Sequence, residues 1–278
     1  MEWKYYNRAV IPDVLPYECV DTSTVDNGQI WKTPIGKKAV LARWMSDFDC
    51  QEETGWWYLI REAPFDIESL PSSSRKHIRQ ALKKCRVERI SPKDKAEELY
   101  QCYVEAHSKY VNADNFIDKE AFCDTCKNQE DSTLEYWAGF PSDEQRIIGY
   151  LVIKKYNDFA EILTAKFSTE FLNFRISDAL YATVLEHYLN IEKKLFVSSG
   201  TRSINHVTNT QEYKERTFLY RKAYCKLHIK YNPKYGWIIK ILYLMRPLLK
   251  KLDGITFVHR INAVLRMEEI HREQKADE

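Results

Sequence analysis

The stretch from Phe159 to Tyr231 constrains the fold of this chain more than any other part of it. Glu161-Ile-Leu-Thr-Ala-Lys-Phe-Ser168 is apolar, partly β-branched and preceded by the polar turn Tyr156-Asn-Asp158, so it reads as a strand. From Asp178 to Leu189, apolar residues at 180, 181, 184, 185, 188 and 189 follow the spacing of one helical face. Lys194-Leu-Phe-Val-Ser-Ser199 is a second strand ending at Gly200. A polar loop, a short helical segment near 209–217 and a last strand from Arg221 to Tyr231 complete the run. The order strand, helix, strand, helix, strand predicts an α/β protein.

Upstream, residues 1–55 hold short strand-like pieces such as Lys38 to Trp44, separated by turn-prone clusters at Asp26-Asn-Gly28 and Pro34-Ile-Gly36. They predict part of an antiparallel sheet. Gly55-Trp-Trp-Tyr-Leu-Ile-Arg61 is the strongest strand of the N-terminal third, and Ser72 to Ser74 offer N-caps for a helix running to about Lys84. That helix carries Arg75, Lys76, Arg79, Lys83 and Lys84, with Arg86 and Arg89 beyond it. The pattern fits a solvated face with snorkelling side chains, with a phosphate-binding surface as the alternative, and spacing does not separate the two. Helices are predicted over Pro92–Val111 and Lys119–Lys127. The second contains Cys123-Asp-Thr-Cys126, which lacks both the second ligand pair of a zinc site and the strand-to-helix setting of a redox motif, so it reads as two unrelated thiols. Leu134–Phe140 and Arg146–Lys154 read as a hairpin closed by Pro141 to Glu144.

With 278 residues, 44% hydrophobic content and only 8 Gly and 9 Pro, the chain is long and apolar enough for one large ordered domain or two packed subdomains. A net charge of +2 gives no bulk argument for nucleic acid. The seven cysteines and the mixed, aromatic start Met1-Glu-Trp-Lys-Tyr-Tyr predict free thiols and a cytoplasmic protein. Residues 237–252 form a basic amphipathic segment, too charged to span a bilayer, that either packs on the sheet or contacts the inner face of a membrane peripherally. The final residues read as a frayed polar helix.

The order and punctuation of 159–231 resemble the C-terminal half of a GNAT acyltransferase, and more closely the Fem-type aminoacyl or peptidyl transferases built from GNAT-like domains. Phe218-Leu-Tyr-Arg-Lys222 occupies the place of the family's Gly-aromatic pair and following basic residue, with Leu219 where the glycine would be. Arg75 to Lys84 is similar to the basic helix after the first sheet of Fem-like proteins. The resemblance covers residues 56–90 and 135–231. It implies a mixed, mostly antiparallel twisted sheet flanked by helices, divided into a partial GNAT-like subdomain at 1–91, a transferase domain at 92–234 and a helical extension at 235–278. It implies transfer of an acyl or aminoacyl group from acyl-CoA or aminoacyl-tRNA, without a metal, to a small-molecule or lipid-linked amine of a cell-envelope or polysaccharide precursor. A non-catalytic module that binds a nucleotide-linked carrier or RNA through its basic face is the alternative.

Acyl transfer to an amine needs alignment, worth roughly 7–11 kcal/mol, and oxyanion stabilisation, so no covalent nucleophile is required. Glu161 on the central strand is a candidate general base, and Lys166 lies on the same strand with opposite parity, so the two share a face only if a bulge intervenes. Tyr213-Lys214 resembles the Phe-Lys pair that Fem families place just before the last strand. The resemblance implies donor contacts from Thr164, Ala165 and Phe167, with Gly149 to Leu151 on the neighbouring strand, and from Asn209. In the family a glycine-bearing loop opens the next helix onto the donor's pyrophosphate. Here Leu172-Asn-Phe-Arg-Ile-Ser-Asp178 has no glycine, leaving Asn173, Arg175 and Ser177 as phosphate contacts and Asp178 as an awkward neighbour. In the polar loop 200–209, Arg202, Ser203 and His206 are candidate substrate contacts.

Overall fold

The computed structural model describes residues 2–108, 116–204 and 209–276. Contacts divide the chain into two compact units, one of residues 1–58, 201–208 and 222–278, the other of 59–200 and 209–221. Among the described residues the strands number ten, mostly antiparallel and flanked by helices, as expected for the fold class.

In the first unit, β1 (Trp3–Tyr6) and β2 (Ala9–Pro12) form a tight hairpin whose corner residues Asn7 and Arg8 both take positive φ. β2 then runs parallel to β3 (Leu41–Cys50). Between them the sequence predicted strand and turn, and the chain instead makes short helices, α1 (Ser23–Asp26) and α2 (Pro34–Lys38), joined by a 3₁₀ turn. The local chemistry explains the correction. Thr33 accepts the Gly36 N–H at 3.0 Å and Pro34 supplies a helical φ at the first position, so the helix starts where a bare turn was expected. These turns bury Val25 and Ile30 against Val10, Ala39 and Ala42. On the far edge of β3, β10 (Arg221–Tyr231) pairs antiparallel, Tyr231 opposite Leu41. Three helices follow: α8 (Pro233–Leu244), α9 (Arg246–Lys251) and α10 (Thr256–Ala276). The last is not the frayed helix expected: it buries Ala263, Leu265 and Ile270, and its buried Glu268 accepts the Tyr231 hydroxyl at 2.7 Å.

The second unit orders its strands β4 (Trp56–Glu62, by its second half), β9 (Phe196–Thr201), β8 (Phe159–Phe167), β7 (Gly149–Lys155), β6 (Leu134–Pro141) and β5 (Cys85–Ile90). The hairpin β6–β7 and the strands on either side of it are antiparallel, and β8–β9 is parallel. Residues alternate between two faces along β7. Leu151 and Ile153 join a core with α3 (Ser72–Lys84), α6 (Ile176–Leu185) and α7 (Thr210–Phe218). Tyr150 and Val152 join another with α4 (Ala96–His107) and α5 (Lys119–Lys127). Pro71 caps α3 without a side-chain hydrogen bond, and Ser72 to Ser74, expected as caps, lie inside its first turn. On α5, Cys123 and Cys126 are free and buried, and burial pushes the Cys126 thiol up to about 11, which suits packing and not reactivity.

Leu219, standing where the resembled family has glycine, adopts φ 54° and ψ 40°. Its N–H and that of Tyr220 both close on the Lys214 carbonyl, ending α7 in a left-handed turn. A branched residue there costs about 1–2 kcal/mol. Because Leu219 is 43% exposed, Leu219→Gly is expected to raise stability by about 1 kcal/mol, read as a higher midpoint in chemical denaturation; a fall would show that the Leu219 side chain packs usefully.

Candidate functional site

β8 holds two irregularities. Its register with β7 shifts between Val152 and Ile153, whose partners are Thr164 and Ile162, so Leu163 is an extra, half-exposed residue. The bulge reverses parity beyond it. Glu161, Thr164 and Lys166 stand opposite Lys154, Val152 and Tyr150, on the face of α4 and α5, whereas Ala165 and Phe167 join the α6 core. Glu161 and Lys166 therefore share a face.

The second irregularity is on the other edge. β8 and β9 pair only at Phe159–Phe196, Ala160–Val197 and Glu161–Ser198, yet β8 continues to Phe167 and β9 also runs on. The strands part beyond Glu161, leaving backbone groups of β8 turned toward β9 without a ladder. Gly149 to Leu151 lie on the strand neighbouring β8, as the resemblance implies, and are fully paired with it, opposite Phe167, Lys166 and Ala165; the opening is on the other edge of β8.

Ser199 sits where β9 leaves β8. The Lys214 ammonium, on α7, donates to the Ser199 hydroxyl and lies 4.8 Å from the centre of the Tyr181 ring of α6. Lys214 is 4% exposed, and burial lowers its pKa from 10.5 to about 8. Beside it, the Tyr213 hydroxyl donates to the buried Asp178 carboxylate in the first turn of α6 and lies 3.4 Å from the Ser177 hydroxyl. Burial and the Asp178 charge push the Tyr213 phenol far above its ordinary range, so it stays protonated and acts as a hydrogen-bond donor. Phe218, ending α7, stacks at an angle on both Tyr181 and Tyr213, which fixes the helix that carries Lys214.

Ahead of α6, Arg175 takes φ 56° in the loop that lacks glycine. Its guanidinium lies 3.5 Å from Asp178, and the Asn173 carbonyl accepts from Lys84 at 3.5 Å. The helix N-terminus thus already faces a carboxylate of its own first turn.

Tyr213, Lys214, Ser177, Arg175, Ala165 and Phe167 of the expected set belong to this α6–α7 face, Phe167 meeting the Tyr181 ring at 5.9 Å. Asn209 is the backbone cap of α7, its carbonyl accepting from Tyr213 N–H. Glu161, Thr164 and Lys166 are on the opposite face of the strand. There Lys166 Nζ is 3.4 Å from His107 Nε2 and 5.5 Å from the centre of the Tyr103 ring, and burial lowers its pKa. Arg202 belongs to the first unit, where it donates to the Gly55 carbonyl at 2.6 Å and covers Trp57 at 4.5 Å; Ser203 lies beside it in the chain. His206 lies outside the described residues. The sequence marks Asp178 only as an awkward neighbour for a phosphate and gives no role to Ser199 or Tyr181. Ser199 had one signal, its place at a strand end before Gly200.

Elsewhere in this unit, Glu135, His187 and Glu192 bring ligand atoms within 4.8 Å of one another. Lys155 Nζ occupies the space between the carboxylates, 2.8 Å from Glu135 and 3.6 Å from Glu192, and Arg89 and the Tyr188 hydroxyl take further Glu135 positions at 2.8 and 2.5 Å. The group is an internally compensated ion-pair knot. Two hollows, about 230 Å³ beside Trp3 and Ile30 and about 290 Å³ beside Glu97 and Lys119, are lined by none of the candidate residues.

An open parallel strand pair at the end of a bulged central strand, followed by a helix, is the arrangement of a GNAT-like, Fem-like fold. Comparison of structures agrees. FemX superposes with a TM-score of 0.53 at 12% identity, covering 85% of this chain and 85% of that one. L-PGS from Bacillus licheniformis gives 0.51 at 9% identity over 86% and 83% of the two chains. A conserved protein of unknown function from Bacteroides thetaiotaomicron VPI-5482 gives 0.51 at 13% over 80% and 78%. No protein-family model and no curated protein matches the sequence. The likeness is one of fold.

Proposed function

We propose that this chain is a Fem-type transferase that moves an aminoacyl or related acyl group onto an amine of a cell-envelope or polysaccharide precursor, small or lipid-linked. The observation that carries the reading is Lys214: a lysine removed from water, held by Ser199 at the point where β8 and β9 part. Burying an ammonium is unfavourable, and groups perturbed in this way cluster at functional sites. In this reading the acceptor amine attacks the donor carbonyl, forming the C–N bond. Lys214 faces the developing oxyanion in a dry setting, where one such contact is worth about 10²–10³ in rate. The donor's C–O or C–S bond then breaks, and the proton lost by the amine passes to the leaving atom. Glu161 is on the last paired rung but on the opposite face of β8 from Lys214, and takes no part in this step. Tyr213, tied to Asp178, positions Lys214.

The Asp178 carboxylate at the first turn of α6 opposes a pyrophosphate there and favours aminoacyl-tRNA over acyl-CoA as donor. A cytoplasmic site of action is part of this reading, and all seven cysteines are free. Thermal-shift titration with acetyl-CoA, longer acyl-CoAs, and charged and uncharged tRNA tests the reading. Saturable stabilisation by charged tRNA alone is the expected result. Stabilisation by an acyl-CoA would reassign the donor, and silence from all of them would leave a binding module.

A further inference from the structure

α8 and α9 are held against α10. Asn262 of α10 donates to the Leu249 carbonyl at 3.0 Å, Arg246 pairs with Glu269 at 2.6 Å, and Arg272 covers the Tyr243 ring at 4.1 Å. Ile239 is buried on that inner side. On the outer side Trp237, Ile241 and Leu244, spaced i, i+4, i+7, are 62, 49 and 82% exposed, and Leu248 on α9 and Phe257 on α10 are 55 and 67% exposed. The sequence left open whether this segment packs on the sheet; these five side chains stay largely exposed. So many large exposed side chains exceed what a monomer leaves to water without a purpose.

The charge says what covers them. From Pro233 to Leu252 the sequence holds Lys234, Lys240, Arg246, Lys250 and Lys251 and no aspartate or glutamate. Lys240 is i+3 from Trp237, and Lys251 is i+3 from Leu248, so the cations border the apolar stripe. Among the described residues, Arg246 alone of these five is in an ion pair, with Glu269. Protein interfaces are depleted of lysine at their centres, and a second copy of this face would meet its own positive charge. Apolar residues with tryptophan, flanked by lysines whose stems reach past them, suit the headgroup boundary of an anionic bilayer. Among the described residues no helix is long and apolar enough to cross a membrane.

We propose that the outer side of α8–α9, with Phe257, docks the protein on an anionic lipid surface. The inference goes beyond the transferase reading and stands without it, since it concerns a surface of the first unit alone. Flotation of the full chain with phosphatidylcholine vesicles, with and without phosphatidylglycerol, tests it. Binding is expected only with phosphatidylglycerol and falls as salt rises. Trp237→Ser with Leu244→Ser, and separately Lys250→Glu with Lys251→Glu, are each expected to weaken it about tenfold or more while leaving the melting temperature unchanged, because all four residues are exposed. Absence of binding to anionic vesicles, equal binding to neutral ones, or variants that bind as well as the parent overturns the proposal. So does a dimer in light scattering that Leu244→Ser converts to monomer without any vesicle binding, which assigns the face to a second copy.

Discussion

Lys214→Met is expected to make the protein more stable at neutral pH while reducing transfer by about 10²–10³-fold. Methionine fills a similar volume and carries no charge into a site that excludes water. The folded-state pKa of Lys214, about 8 against an ordinary 10.5, means that the folded protein binds its proton less readily than the unfolded chain does. The destabilisation is fully present below pH 8 and fades as pH rises from 8 toward 10.5, a change of about 3 kcal/mol. The variant's advantage in melting temperature should be largest at pH 7 and shrink by about 6–12 °C across this range as the lysine of the parent loses its proton. The loss of the Ser199 partner subtracts from the gain without changing its pH dependence. A variant less stable than the parent by the same amount at every pH would make Lys214 a satisfied structural cation and remove the central support for the proposed chemistry.

The largest loss of stability outside the apolar core is expected from Glu135→Ala, at about 3 kcal/mol, or a fall in melting temperature of about 6–12 °C. Glu135 is 8% exposed and accepts from Arg89, Lys155 and Tyr188, and the Trp137 indole N–H in turn donates to the Tyr188 hydroxyl at 3.0 Å. Removing the carboxylate strands a fully buried phenol. Burial by itself would raise the Glu135 pKa, but the hydrogen bonds from Lys155 and Tyr188 and the charges of Lys155 and Arg89 outweigh it, and the net shift is downward. A lowered folded pKa contributes stability above the ordinary carboxylate value and loses it as pH falls through the folded value. The gap between parent and variant should be flat above about pH 5 and close on acidification. Denaturant midpoints from pH 3 to 7 read this directly, and a gap that persists at the acid end would mean that the knot does not depend on the charge of Glu135.

The two places where the resembled family uses glycine carry a lesson about reading sequence. Leu219 and the Arg175 loop lack it, which made both look degraded, yet each adopts a left-handed backbone close to φ 55°. Tertiary packing of α6 and α7 holds the conformation and absorbs the steric cost. Helix α3 and strand β4 were legible nearly to the residue because their apolar periods are local. The 23–38 segment was not, since Thr33 and Pro34 act through a cap whose partner lies within α2 itself.

The sequence by itself determined the strand and helix order of 159–231 and the mixed fold, because periodicity and spacing are properties of neighbouring residues; Tyr213 and Lys214 stood out by resemblance to the Fem families, and β5 (Cys85–Ile90) was not expected as a strand. Three things were decided only in the folded chain. One inserted residue, Leu163, turned Glu161 and Lys166 to the same face; parity is exact to one residue, and nothing local marks a bulge. The parting of β8 from β9 fell on the edge away from Gly149 to Leu151, because pairing partners are chosen across the sheet. The burial of Lys214 against Tyr181 and Ser199 arises where three elements distant in sequence meet. A lysine in a polar helix is written the same way whether it ends in water or out of it, and packing alone set its charge at the centre of the proposed site.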